Sequence, residues 1–319
     1  MASFDFREMF GLNDRDRGIS ITPFFHGNGM SNVTFGLGVG ASCVFPRTFS
    51  ARRFWGLVDR YRPTYMITLA PVMNIVMSLP PSPLDRSHSF RVLVVLGSGP
   101  NMAAIEERYG TPVIDWYGMT EASMGTYTRL GETCPPGSAG RPFPGTDMRV
   151  FREDGTEADV GEAGEVVFNT DTTGFRGYLN DEEATRSALS GKWFHTGDMG
   201  YFDEDGYFYF ADRKKDIVRR GGENISSLEV ESVMATHPAV AAVAVVAKPN
   251  PVLGERLVAF IQPHEGQVAP TAEELVAFCD GKLARFKIPE EVFAIDILPR
   301  TGTGKVEKFR LRQQAAGVS

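Results

Sequence analysis

No lysine precedes Lys192 in this 319-residue chain. A phosphate-binding loop that depends on a lysine is therefore excluded from the first 191 residues; positive charge for an anionic ligand must come there from arginine, a metal ion or backbone N–H groups. Cysteine is scarce too: Cys43, Cys134 and Cys279 are odd in number and scattered, which argues against a disulfide framework and a cysteine metal site. The formal net charge of -7 leaves no basic footprint for a nucleic acid. The longest strongly apolar run, Ala239 to Ala247, is too short to span a bilayer. The first residues, Met1-Ala-Ser-Phe-Asp-Phe-Arg7, have neither the basic start nor the apolar centre of a secretory signal, so a reducing, cytoplasmic setting is the expectation. Internal repeats and low-complexity tracts are also absent.

What is present is ordinary globular material, 42% hydrophobic and 23% charged, in a length that suits two or three domains. Its texture changes twice. Residues 19 to 118 alternate short β-like runs (Ile19 to Thr22, Tyr65 to Leu69, Val92 to Leu96, Val113 to Trp116) with helix-length stretches such as Ser50 to Tyr61 and Pro71 to Leu79. That rhythm predicts βα units around a largely parallel sheet. Residues 131 to 211 carry many glycines and acidic turns between short alternating strands, which predicts an antiparallel sheet or small barrel. The charged stretch Asp212-Arg-Lys-Lys-Asp216 then precedes a last α/β segment. There Ser226-x-x-Glu229 and Thr271-x-x-Glu274 read as capping boxes, and Val240 to Ala247 and Glu291 to Ile297 read as strands. The division expected is 1–130, 131–211 and 212–319: a partial α/β subdomain, an antiparallel β subdomain and a separate small α+β domain.

Several short motifs bear on chemistry. Leu96-Gly-Ser-Gly-Pro100 follows an apolar strand, and its glycines suit either close approach to a flat ligand or a plain turn. Asp115-Trp-Tyr-Gly-Met-Thr-Glu121 places a ring, a hydroxyl and a carboxylate at what should be a sheet's carboxyl edge, where open α/β sheets bind ligands. Thr196-Gly-Asp198 sets a carboxylate after a tight turn, suited to a ribose diol, though this is also ordinary turn chemistry. His26, in Pro23-Phe-Phe-His-Gly-Asn-Gly29, has no carboxylate or thiol nearby in sequence and reads as a packed or gating ring rather than a base. Gly302-Thr-Gly-Lys305 fails as a Walker loop: Pro299 stands where its first glycine belongs and Val306 where its hydroxyl belongs. Lys305 is then either a surface residue or a charge delivered to a site built elsewhere.

The order of these motifs says more than any one of them. PFFHGNG, LGSGP, YGMTE, GSAGRPFPG, GFRGYLND, the run from Trp193 to Ser226 and LPRTGTGKVEKFR together resemble the adenylate-forming enzymes, and within them acyl- and aryl-CoA synthetases. The resemblance extends from about Ile19 to Arg312. It implies an AMP-forming carboxylic acid:CoA ligase, with a large domain of βα layers plus a small antiparallel barrel and a mobile C-terminal domain. It implies ATP or AMP, magnesium and coenzyme A as cofactors, an acyl or aryl acid as substrate, a place in fatty acid metabolism, and no nucleic-acid partner. Carried over by position, Lys305 matches the catalytic lysine, Thr120 a phosphate contact and Glu121 a magnesium ligand. Tyr117 and Gly118 would lie against adenine beside Gly97, Ser98, Gly99 and Pro100, with Asp115 where an amide near the adenine amino group is frequent. Asp198 and Arg213 would take the ribose hydroxyls, Lys215 would be the hinge, Gly221 and Gly222 would face coenzyme A, and His26 would gate the acyl side.

One departure accompanies the match. The Ser/Thr/Gly-rich phosphate loop, ending in Pro-Lys-Gly, that the resemblance implies upstream of PFFHGNG is not among the 22 residues before it, so the chain reads as the later part of such an enzyme. Two other readings follow: a nucleotide-binding remnant without turnover, and an adenylation domain of a peptide synthetase, which would need a carrier domain downstream. Residues 29–40 and 119–126 are expected to line the acid pocket, and their small and apolar side chains favour an acyl or aryl group over an amino acid.

Overall fold

The computed structural model describes residues 6–302 and 304–317. They divide into two compact units, Met1–Thr196 with Gly200–Phe210, and Gly197–Met199 with Ala211–Ser319. The first is built on a parallel sheet of β1 (Arg17–Ile19), β2 (Ser42–Val44), β3 (Tyr65–Leu69), β4 (Val92–Leu96) and β5 (Val113–Ile114), in the order β2-β1-β3-β4-β5. Its strands are apolar on both faces because both faces are covered. Tyr65, Ile67, Val92 and Val94 pack into one core with Phe35 and Val39, while Met66, Leu93 and Val95 pack into another with Phe54, Trp55 and Ile105. Helices α1 (Phe6–Phe10), α2 (Gly27–Val39), α3 (Ala51–Tyr61), α4 (Ala70–Met77), α5 (Leu84–Ser87) and α6 (Met102–Tyr109) supply those layers.

Helix α2 is fixed to the sheet by polar groups as well as by Phe35 and Val39. Asn32, fully buried, accepts from the Ile67 N–H at 2.9 Å and donates to the Ile67 carbonyl at 2.8 Å, so one amide completes both backbone groups of a strand residue. The Tyr65 hydroxyl donates to the Asn32 carbonyl at 2.6 Å, and a Cβ at Gly18 or Gly36 would come within 2.5 Å of that phenol. The outer face of α2 and the turn before it are apolar and open: Phe25 is 79% exposed and Leu37 72% exposed.

Past β5 the chain changes sheets at Asp115, whose N–H donates to Thr128 Oγ1 at 2.8 Å and whose carbonyl accepts from Thr128 at 3.0 Å. The single strand expected over Val113 to Trp116 is therefore two, and β6 (Trp116–Met119) pairs antiparallel with β7 (Ser123–Tyr127), which pairs with β8 (Arg141–Pro142). A further antiparallel sheet follows, made of β9 (Met148–Phe151), β10 (Gly164–Asn169), β11 (Leu189–Ser190), β12 (Trp193–Phe202) and β13 (Phe208–Arg213). Short helices α7 (Thr170–Thr173) and α8 (Glu182–Ala188) lie between its strands. Strand β1 also differs from expectation, ending at Ile19 rather than Thr22 as the chain turns toward Pro23, which has no N–H for a ladder.

The second unit holds β14 (Val218–Arg220), β15 (Glu223–Ile225), β16 (Val240–Asn250), β17 (Gly254–Pro263) and β18 (Glu291–Ala294), ordered β15-β14-β17-β16 with β18 parallel on β17. Val245 faces a core with α9 (Ser227–Met234) and α10 (Ala272–Cys279), and Ala244 and Val246 face another with α11 (Lys308–Ala315). Of the two capping boxes expected, Thr271 and Glu274 form a complete one, with bonds of 3.2 and 2.8 Å. The other is half formed: Ser226 accepts from the Glu229 N–H at 3.2 Å, but Glu229 turns away to pair with Lys287 at 2.6 Å. The strand expected to reach Ile297 stops at Ala294. Among the described residues no helix is long and apolar enough to cross a membrane.

Candidate active site

The carboxyl edge of the parallel sheet carries the first group of predicted residues. Beyond β4 the chain makes a tight turn at Gly97, whose φ of 75° is costly for a residue with a Cβ, and Gly99–Asn101, with Pro100 at its centre, forms one turn of 3-10 helix. Asp115, 1% exposed, fills the inside of that turn. Its Oδ1 accepts from Gly97 at 2.8 Å, Ser98 at 3.1 Å and Trp116 at 2.7 Å, and its Oδ2 accepts from Gly99 at 2.6 Å. Burial pushes its pKa up to about 6, against the pull of those four N–H groups. Both oxygens of Asp115 are thus committed to backbone, a different use from the ligand contact expected of it.

Strand β6 leads from Asp115 to the remaining members of this group. Tyr117 is half-buried and packs on the rings of Phe168, Phe208 and Phe210, with the centroid nearest, that of Phe208, at 4.9 Å. A Cβ at Gly125 would come within 3.0 Å of the Tyr117 ring, so that glycine lets the ring lie flat on its own hairpin. Gly118 and Met119 continue the strand, Thr120 is exposed, and Glu121 is half-buried with Oε1 accepting from the Tyr178 hydroxyl at 3.0 Å. Burial first and Glu121 second push the Tyr178 pKa up to about 12, which keeps the phenol a donor. Tyr178 was not singled out in the sequence; the signal for it was its place in GFRGYLND. His26 caps α2, its Nδ1 accepting from the Asn28 N–H at 3.2 Å, and burial lowers its pKa, so the ring is neutral at neutral pH.

A second group lies in the C-terminal unit, with which Gly197–Met199 sort. Asp198 is 4% exposed and pairs with the Arg213 guanidinium at 3.3 Å. The Lys214 N–H donates to the Gly197 carbonyl at 2.8 Å, which holds the two segments in register. Lys305 stands on a tight turn closed by the Thr301 N–H to the Lys305 carbonyl at 2.8 Å and by Gly304 at φ 85°. Its side chain is open to solvent, yet the protein about the ammonium strips enough hydration to push the pKa down to about 8. Arg213 and Lys215 lower it further, while Asp198 and Asp216 oppose them. Lys305 therefore shares one electrostatic neighbourhood with Asp198, Arg213 and Lys215.

Two side chains of α11 tie that helix, which follows Lys305, to the charged stretch and to α9. Arg312 donates to the Lys215 carbonyl at 2.9 Å and pairs with Asp216. Lys308 donates to Ser227 at 2.6 Å and pairs with Glu231 at 2.6 Å, while Asp212 accepts from Ser226, Ser227 and Leu228. Neither cation was anticipated. Gly221 and Gly222, at φ 60° and 90°, form the exposed tip between β14 and β15. No group of three or more His, Cys, Asp or Glu side chains that could hold a metal ion occurs among the described residues. A single carboxylate such as Glu121 fits a magnesium ion that takes its other ligands from water and phosphate.

Comparison with known proteins agrees with this layout. Residues 1–179 match the family model described as AMP-binding enzyme, and residues 229–305 match that of the AMP-binding enzyme C-terminal domain. The oxalate–CoA ligase of Arabidopsis thaliana is 33% identical over 312 residues, covering 95% of this chain and 60% of that protein. The crotonobetaine/carnitine–CoA ligase of Salmonella paratyphi A is 34% identical over 308 residues, 94% of this chain and 59% of that protein. Among solved structures, ATP-bound MatB from Rhodopseudomonas palustris aligns with a TM-score of 0.85 at 29% identity over 97% of this chain and 62% of its own. An anthranilate CoA ligase in complex with anthranoyl-AMP aligns with a TM-score of 0.86 at 29% identity over 97% and 61%. The chain thus spans about 60% of the length of the curated relatives it matches.

Proposed function

The chain belongs to the AMP-binding enzyme family, and from that premise we propose that it serves an AMP-forming carboxylic acid:CoA ligase. In the first step a carboxylate oxygen attacks the α-phosphorus of ATP, giving acyl-adenylate and pyrophosphate. In the second the thiolate of coenzyme A attacks the acyl carbon and AMP leaves. The observation that carries this reading is the Asp198–Arg213 pair with the Lys305 ammonium in its field, an arrangement with one carboxylate for a diol and several cations for an anion.

The roles follow from chemistry. A carboxylate and a triphosphate repel each other, so preorganised cations aimed at the developing charge are the largest contribution a protein can make. Lys305 supplies that charge, and Thr120 hydrogen-bonds phosphate. Glu121, oriented by Tyr178, would hold a magnesium ion, which would neutralise phosphate charge. Asp198 accepts from the ribose hydroxyls, with the Arg213 guanidinium paired beside it. The Tyr117 ring and the turn at Gly97, Ser98, Gly99 and Pro100 take the adenine. Lys215 marks the point where backbone dihedrals change between half-reactions, and Gly221 with Gly222 presents bare backbone to the pantetheine arm of coenzyme A. His26, neutral and half-buried, borders the acyl side. The small and apolar residues of α2 favour an acyl or aryl acid.

The test is titration calorimetry with AMP and with a non-hydrolysable acyl-AMP analogue. Saturable binding is expected, and Asp198→Ala should weaken it by about 1.5–3 kcal/mol, the range for a hydrogen bond to a charged group. No binding at millimolar ligand would overturn the nucleotide reading, and unchanged affinity in the variant would overturn the ribose assignment.

A further inference from the structure

Three consecutive backbone N–H groups, those of Gly97, Ser98 and Gly99, converge on one point at the end of β4. Such a concavity is the kind that binds phosphate in other proteins. Here an internal side chain occupies it: the two oxygens of Asp115 take all three N–H groups and that of Trp116, at 2.6 to 3.1 Å. Those N–H groups are therefore already taken, and the turn presents Gly97 to solvent while Ser98 is buried.

We propose that Asp115 is a positioning residue for nucleotide binding, its ionised carboxylate holding the Gly97–Gly99 turn in the shape that receives the base, and that an amide cannot replace it. This rests on the nucleotide reading above and assigns a cause to the shape of its base-binding turn. The argument for a carboxylate over an amide is a count of donors. Oδ1 faces three N–H groups and Oδ2 faces one, so both atoms must accept. An asparagine has one accepting oxygen and one donating nitrogen, and either orientation sets an NH2 against at least one backbone N–H at hydrogen-bond distance. Protonating the carboxyl does the same. The four groups that Asp115 accepts from are backbone N–H groups, and the Cys134 thiol lies in its field, raised by burial first and then, among smaller causes, by Asp115.

The experiment uses the whole chain and an amide-resolved NMR spectrum followed from about pH 7.5 to about pH 5. The amide signals of Gly97, Ser98, Gly99 and Trp116 are expected to move together with one midpoint near 6, where burial sets the carboxyl. In Asp115→Asn those signals should lie away from their wild-type positions and cease to titrate as a group. AMP should bind the variant about tenfold more weakly at pH 7.5, with the deficit shrinking toward pH 5 as the wild-type carboxyl takes its proton. A merely structural role would give a deficit that does not change with pH. Turn amides that stay still throughout the wild-type titration would overturn the proposal even if the variant fails to fold. So would a variant that keeps both its turn signals and its AMP affinity. If the turn amides titrate but AMP does not bind the wild type, the nucleotide reading falls and the Asp115 clamp stands as the cause of the turn's shape, which separates the two failures.

Discussion

Lys305 shows how far a residue's meaning depends on what surrounds it. As an isolated GTGK it is a poor copy of a phosphate loop, but next to Asp198 and Arg213 it becomes an amine whose charge can be lost within reach of neutral pH. Its pKa, pushed down to about 8 by desolvation and then by Arg213, lies well below the ordinary value of 10.5. The working form in the proposed adenylation is the ammonium, which is complete below about pH 7 and lost as pH rises through 8. Carboxylate-dependent exchange of pyrophosphate into ATP should therefore decline above about pH 8. Lys305→Arg should move that alkaline decline upward, because a guanidinium stays charged. A rate that holds level to pH 10 in the wild type would remove Lys305 from the role. Asp115 carries the opposite lesson at the same scale: its place in the motif order implies a position near the base, and in the structure both its oxygens accept from the backbone.

At the scale of elements, α11 is the part whose role was hidden. Lys308 and Arg312 are separated by one turn, and the sequence offers no reason to connect them to residues about 80 to 97 positions away. The structure makes that connection through Arg312 to Lys215 and Asp216 and through Lys308 to Ser227 and Glu231. Arg312→Ala should therefore loosen the charged stretch without unfolding the unit. Hydrogen exchange at Asp216 and Ile217 is expected to speed up by about ten- to hundredfold, the equivalent of one hydrogen bond to a charged group, while β16 and β17 keep their protection. Faster exchange across the whole sheet would show a global loss instead.

The elements that were legible beforehand are those with strong local signals. Strands β3 and β4 match their expected bounds because their apolar runs are short, continuous and flanked by breakers. The Thr271 box closes as its pattern requires. What could not be read was decided by distant partners. Glu229 left its box for Lys287, Asn32 reached across to β3, and the chain changed sheets at Asp115 because Thr128 was there to meet it. The family was legible as an ordered set of motifs, whereas the bonds that shape the candidate site, Tyr178 to Glu121 and Asp115 to its turn, join segments whose spacing carries no pattern.

For the molecule as a whole, the open apolar face of α2 and its preceding turn governs behaviour at high concentration. Phe25 and Leu37 are largely exposed, and apolar surface of this kind favours self-association. Sedimentation should show mass increasing with protein concentration, and Leu37→Glu should lessen that increase without lowering the melting temperature, since Leu37 points away from both cores. A concentration-independent mass in the wild type would contradict this. The distribution of amines has a consequence of another kind. Because every lysine lies at or beyond position 192 and Lys305 has the lowered pKa, an amine-reactive dye applied in slight excess near pH 7.5 would find few deprotonated targets. The chain's own α-amino group, at about 7.7–8.0, would compete, but a reagent added after that terminus is blocked would mark the Lys305 turn first. A fluorophore placed there would report, molecule by molecule, on whether that turn is open to solvent or covered by ligand.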